Sequence, residues 1–249
     1  QAFSGITNLT SFLHEIASSS ARSAGEKIGQ SPPLGLGYPY ADPVAGLFAV
    51  FAILAALENR DKTGQGQHID VSEYEALCSS LGAAILDYTV NGNIAGPQGN
   101  NPGHVQAAPH GCYRCRGDDR WCVIAVSTEE EWQAFCQVLG YPAWSKERRF
   151  PHISARKRHT PELDKLIEEW TTRHTPEEVT RLLQEAGIPA GIVENARDMA
   201  DDPQLRARNF FLQTEHPILG KTISDNTPIK LSGTPARISQ AAPLLGQDN

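Results

Sequence analysis

The sequence predicts an α/β protein. Three observations carry that prediction. A long Ala- and Leu-rich run opens at Asp42-Pro43 and reads as a helix. Further along, capped helical segments alternate with short β-type runs, and clusters of Gly, Asn and Pro punctuate the joins. The 249 residues are 40% apolar and 20% charged, which suits an ordinary globular chain with a sizeable core. A formal net charge of −7 with scattered basic residues argues against nucleic acid as a partner.

The elements follow in chain order. Ala2 to Ala17 reads as a helix, and the polar, small-residue stretch after it as a long loop. At Asp42-Pro43 a helix begins, with Asp as the N-cap and Pro at the first helical position. Its apolar residues from Val44 to Leu57 leave almost no polar face, so the helix is expected to be buried on most sides. The same apolar run is too short to span a bilayer, and no membrane partner is expected. HIDVS (68–72) reads as a short strand. Ser72 with Glu75 reads as a capping box opening a helix to about Val90.

A Gly/Asn/Pro-rich segment follows, NGNIAGPQGNNPGHVQAAP, which suits a domain boundary or an active-site loop. GCYRCRGDDRWCVIAVS reads as a hairpin turning at 117–119, and STEEEWQAFCQVLG as a helix ending at Gly140. Thr160-Pro161 and Thr175-Pro176 each open a helix, the second closing at Gly187. IPAGIV suits a buried strand, and Ala196–Ala207 a short helix. The rest, from Phe210 to Ile238, has strand and turn character. This divides the chain into residues 1–99, a smaller α+β unit at 100–192, and a return segment at 193–249.

Several chemistries find no footing. The five cysteines are odd in number and irregularly spaced, which favours free thiols and a reducing, cytoplasmic setting. Cys112 and Cys115 look like a metal pair, but a strand points them to opposite faces and no second pair exists. None of the eight histidines forms an HExxH-type spacing, so no metal is expected. GxSxG, P-loop and GxGxxG motifs are absent. The basic residues at 148–149 and 156–159 read as a solvated face. The opening QAFSGITNLT has neither a basic n-region nor an apolar h-region, and it lacks an initiator Met, so preceding residues are expected.

Asp42 is the residue with two readings. As an N-cap it needs no chemistry. The same helix N-terminus stabilises an anion by roughly 0.3–1 kcal/mol, and a carboxylate held there can act as nucleophile or base. Gly37, Tyr40 and Gly46 nearby leave room for a ligand. Spacing alone leaves both readings open.

The wording around Asp42 goes further. YADPVAGLFAVFAILAALENRDKTGQGQHIDVS (40–72) closely resembles the signature region of class III CoA-transferases. That pattern has an Asp, a Gly a few residues on, an Ala/Leu-rich helix, R-x-x-TG-x-GQ and a β-type VDVS. Asp42, Gly46, Arg60, Thr63-Gly64, Gly66-Gln67 and Ile69–Ser72 match it in turn. GNNPGHVQAAPHGCYRCRGDDRWCVIAV, ERRF with ISARKRH, AGIPAGIV, DDPQLRARNFF and HPILGKTI resemble later segments of the family.

The resemblance implies a large Rossmann-like α/β domain, present in part, and a small α+β domain. It implies transfer of coenzyme A between carboxylic acids, with Asp42 as the nucleophile. Coenzyme A and its acyl thioesters would be substrates rather than a resident cofactor, and most contacts to them would lie in a missing N-terminal half. Family members form interlocked homodimers. The loop 101–109 matches a region that carries a run of glycines in some members; this sequence departs from that run, and His104 and Gln106 are its candidate substrate-facing residues. The same resemblance admits an α-methylacyl-CoA racemase, or a non-catalytic subunit of a heteromeric transferase.

Overall fold

The computed structural model describes residues 37–96, 99–100, 105–238 and 240–247. The predicted helix over 2–17 lies outside them. The Ala/Leu-rich run folds as α1 (Ala41–Thr63). Ala, Leu and charged residues with low helix cost sustain it over that length. It ends where Gly64 takes φ 75° and donates its N–H to Arg60 O at 2.7 Å, the left-handed cap that glycine adopts without strain.

Asp42 is not the cap of α1. Tyr40 holds that position, with αR backbone and no side-chain bond to the first turn. The chain is already turning before the Asp-Pro pair, because Asp42 N–H donates to Pro39 O at 3.2 Å. Asp42 therefore sits one position inside the first turn.

Nor is α1 buried. Ala41 is its single buried residue, while Leu47 is 70% exposed, Phe51 74% and Leu54 62%. Ala45, Ala49, Ala52 and Ala56, spaced along one face, are half-buried. The small residues face inward and the large ones outward. Over its 23 residues α1 is, by length and composition, also long and apolar enough to cross a membrane, so the estimate from 44–57 was too short.

His68–Ser72 is not a strand; it runs unpaired into α2 (Glu73–Ser79), on which α1 packs. Ser72 caps α2, its Oγ accepting from Glu75 N–H at 3.3 Å. The expected single helix to Val90 is broken, and α3 covers Gly82–Asn91. At the break the Ser79 and Ser80 hydroxyls donate to Ala76 O and Leu77 O, the competition with helix winding that serine offers.

β1 (His110–Arg114) and β2 (Trp121–Ala125) form the predicted hairpin, closed by Cys115 N–H donating to Arg120 O at 2.8 Å. β3 (Ala190–Val193) completes a sheet of order β1-β2-β3, antiparallel to β2 with Cys122 opposite Ile192. As an edge strand it is half-buried rather than buried.

Four α-helices and a short 3-10 helix (Ala143–Lys146) lie between β2 and β3; the α-helices are α4 (Glu129–Val138), α5 (Ile153–Arg158), α6 (Thr160–Thr171) and α7 (Pro176–Glu185). α4 gives way to the positive φ of Gly140, and Gly187 marks the end of α7 in the same way. Thr175 and Glu178 form a complete capping box on α7, whereas His159 rather than Thr160 precedes α6. The segment 196–207 is two helices, α8 (Ala196–Asp201) and α9 (Pro203–Ala207), because Asp202 before Pro203 is held extended and caps the second. β4 (Phe211–His216) and β5 (Gly220–Asp225) form a separate antiparallel pair with Thr214 opposite Thr222.

The described residues fall into two compact units. One holds 37–111 with Val126–Glu129 and Arg149–Arg158; the other holds Cys112–Ala125, Glu130–Arg148 and the chain from His159 onward. The second has the larger apolar core: Ile124, Trp132, Phe135, Leu163, Ile167, Val179, Leu183 and Ile188 are all buried.

Candidate active site

Asp42 is exposed at the N-terminal turn of α1, beside half-buried Tyr40. The rings of Tyr38 and Tyr40 meet roughly edge to face, with centroids 6.4 Å apart. One turn on, a methyl group built on Gly46 would meet nothing within 4 Å, and the same holds at Gly37. The Asp42 carboxylate is exposed and has the partial positive charge of a helix N-terminus behind it. That geometry suits an anion that must reach an electrophile rather than one locked into a structural pair.

His104 lies outside the described residues. Gln106 is exposed, between half-buried Val105 and buried Ala107. It shares a compact unit with Asp42, and no described hydrogen bond joins the two. The segment that carries Gln106 is firmly held. Ala108 N–H donates to Val126 O at 2.8 Å, and Val126 N–H to Pro109 O at 2.9 Å.

The basic cluster is where the sequence misleads most. Arg156 is fully buried, not solvated. Its guanidinium makes a two-pronged pair with Glu129, at 3.0 Å on each oxygen, and its Nε donates to Ala108 O at 2.8 Å. The Arg156 hydrogen bonds hold the Glu129 carboxyl below its ordinary range, against the opposing effect of burial. No spacing signal marks Arg156 as buried. The signal that could have found it is its place in the ERRF…ISARKRH match.

In the other unit the polar groups are structural. The Tyr113 hydroxyl donates to Asp164 at 2.7 Å; burial and then that carboxylate push the phenol well above its usual value. Burial likewise raises Asp164, although the Tyr113 bond pulls the other way. Thr171 Oγ1 donates to Arg114 O at 2.6 Å, and Arg120 pairs with Glu177 and Asp198. None of the five cysteines forms a disulfide; Cys115, Cys122 and Cys136 are buried, and burial drives the Cys122 thiol far up. These are packing thiols, not nucleophiles. Among the described residues, no group of three or more His, Cys, Asp or Glu side chains could hold a metal ion.

The chain belongs to CoA-transferase family III, which its residues 14–249 match. Among its relatives, the succinyl-CoA–D-citramalate CoA-transferase of Chloroflexus aurantiacus is 33% identical over 218 residues, covering 88% of this chain and 54% of that protein. The formyl-CoA:oxalate CoA-transferase of Rhodopseudomonas palustris is 29% identical, covering 87% and 55%. A solved CAIB/BAIF family protein from Brucella suis superposes with a TM-score of 0.84 at 26% identity, over 99% of this chain and 59% of that one. The mixed α/β fold is thus that of the family. The chain spans about half the length of the curated relatives it matches.

Proposed function

We propose that this chain carries the nucleophile of an acyl-CoA:carboxylate CoA-transferase, and that Asp42 is that nucleophile. The family match over residues 14–249 carries the reading. The exposure of Asp42 at a helix N-terminus supports the residue assignment.

The chemistry balances as two exchanges. The Asp42 carboxylate attacks the thioester carbonyl of the donor, the C–S bond breaks, and coenzyme A leaves as thiolate beside a mixed anhydride. The thiolate attacks the aspartyl carbonyl and displaces the donor acid as carboxylate, leaving an aspartyl-CoA thioester. The acceptor carboxylate then attacks that thioester and expels the thiolate, which attacks the acceptor's acyl carbonyl. The new acyl-CoA departs and Asp42 is free again. A carboxylate is a weak nucleophile, so positioning must supply much of the rate, and exclusion of water must protect the anhydride. Gln106 and His104 are the proposed substrate-facing residues of the loop, with coenzyme A entering as a substrate.

The working assembly is a cytoplasmic homodimer of the whole protein. A heteromeric one is the second reading, because a relative 29% identical over 98% of this chain is named an alpha subunit.

The test uses the full-length protein with succinyl-CoA as donor and citramalate as acceptor. Asp42→Asn is expected to lower kcat on the order of 10⁴-fold, as removing a covalent nucleophile does. Mass spectrometry of the wild type should find coenzyme A or acyl mass on the peptide holding Asp42. Full transfer by the variant would end the assignment.

A further inference from the structure

Two consecutive residues of α5 grip one short stretch of main chain. Arg156 donates from Nε to Ala108 O at 2.8 Å, and Lys157 from Nζ to Val105 O at 2.5 Å. On the other side of the same stretch, Val126 exchanges hydrogen bonds with Ala108 N–H and Pro109 O. Ala107, Ala108 and Pro109 are buried, and Gln106 projects to solvent between the two tethers.

The tether at Arg156 is expensive. Placing a guanidinium at zero exposure carries a large desolvation cost, and an apolar side chain of the same volume would avoid it. Pairing offsets that cost: both Glu129 oxygens accept, Phe150 O accepts at 3.4 Å, and Glu129 is itself fixed by Ile153 N–H at 2.9 Å. An apolar replacement could fill the space, yet it could not hold a carbonyl in one direction. Buried ion pairs of this kind are better explained by what they position than by the stability they add.

We propose that Glu129, Arg156 and Lys157 form a bracket that fixes residues 105–109, and that Arg156 and Lys157 are positioning residues acting through Gln106. The fixed segment presents the Gln106 amide, a donor and acceptor at once, in one place. Its role in transfer rests on the CoA-transferase reading; the bracket itself does not.

Two measurements on the full-length protein keep those layers apart. In hydrogen–deuterium exchange, Lys157→Met should raise exchange at amides 105–108 about tenfold, the loss expected for one hydrogen bond to a charged group. Lys157→Arg should restore protection. Unchanged exchange in Lys157→Met overturns the bracket, whatever the activity does. In kinetics with the donor and acceptor above, Lys157→Met should raise KM for the acid about tenfold and leave KM for the acyl-CoA unchanged. Gln106→Ala should do the same, and the double variant should be no worse than either single one. Faster exchange with wild-type kinetics overturns the positioning role. A wild type that transfers no coenzyme A overturns the CoA-transferase reading, while the exchange result still decides the bracket. Lys157 is the residue to vary because it is only half-buried, whereas loss of Arg156 could unfold the unit.

Discussion

α6 and α1 are both helices with ample apolar surface, and they use it in opposite ways. In α6, Leu163, Ile167 and Thr171 recur every four residues and are fully buried, while Glu162, Lys165 and Glu169 face water. In α1 the half-buried residues are Val44, Ala45, Ala49, Ala52 and Ala56, and Leu47, Val50, Phe51 and Leu54 face outward. α6 is complete within this chain. α1 instead turns Leu47, Phe48, Phe51 and Leu54 to solvent along its length, the kind of contiguous apolar face that calls for cover. The helix that carries the proposed nucleophile thus leaves most of its large apolar side chains uncovered, and the chain spans about half the length of its relatives.

That contrast can be broken most directly with paired truncations. Leu183→Ala, in the fully buried row of α7, should cost about 2–5 kcal/mol of unfolding free energy. Leu54→Ala, at 62% exposure, should change it by less than about 0.5 kcal/mol, since no cavity forms and Ala is the better helix former. Urea melts of the 249-residue chain decide. Equal losses would mean that α1 is covered in solution, for instance by a second copy.

A smaller effect sharpens the same comparison at a helix terminus. Thr175→Ala removes the hydroxyl that accepts from Glu178 N–H at 3.2 Å, and should destabilise by about 1 kcal/mol. α1 has no side-chain cap to lose. Asp42→Asn gives up at most the roughly 0.3–1 kcal/mol of helix-terminus stabilisation and should lower the melting temperature of this chain by no more than about 4 °C, so that an activity loss in the full-length protein reads as chemistry and not as unfolding.

What the sequence made legible divides along the same line. The helix start at Thr175-Pro176, the hairpin turn at Gly117-Asp118-Asp119 and the stops at Gly140 and Gly187 are local events, settled by a few adjacent residues, and they stand where the pattern put them. Residues 68–72 have strand-like composition, but a strand exists only with a partner beside it, and no local pattern supplies one. The exposure of α1 was misread for the same reason: an all-apolar helix implies cover without saying where the cover comes from. Arg156 was misread because a run of basic residues is usually solvated, and only the fold reveals the carbonyls and carboxylate waiting for it. Asp42 was legible as chemistry through the words around it; its spacing alone says only that a helix begins nearby.

The finest test concerns the pH dependence of the bracket. The Arg156 hydrogen bonds lower the folded-state pKa of Glu129 below the ordinary carboxylate value of 4.5. A depressed carboxylate pKa contributes stability that is fully present above the unfolded pKa and is lost as pH falls through the folded one. The Glu129 side chain is 46% exposed, so solvent screens the pair and the effect is modest. Wild type should be more stable than Glu129→Gln at about pH 7, and the gap should narrow below about pH 4.5 as the wild-type carboxyl protonates. A protonated glutamate, like glutamine, offers the guanidinium a single good acceptor, so the gap should largely close once pH is well below the folded-state pKa. A gap independent of pH would show that shape alone holds Arg156, and that its charge contributes nothing.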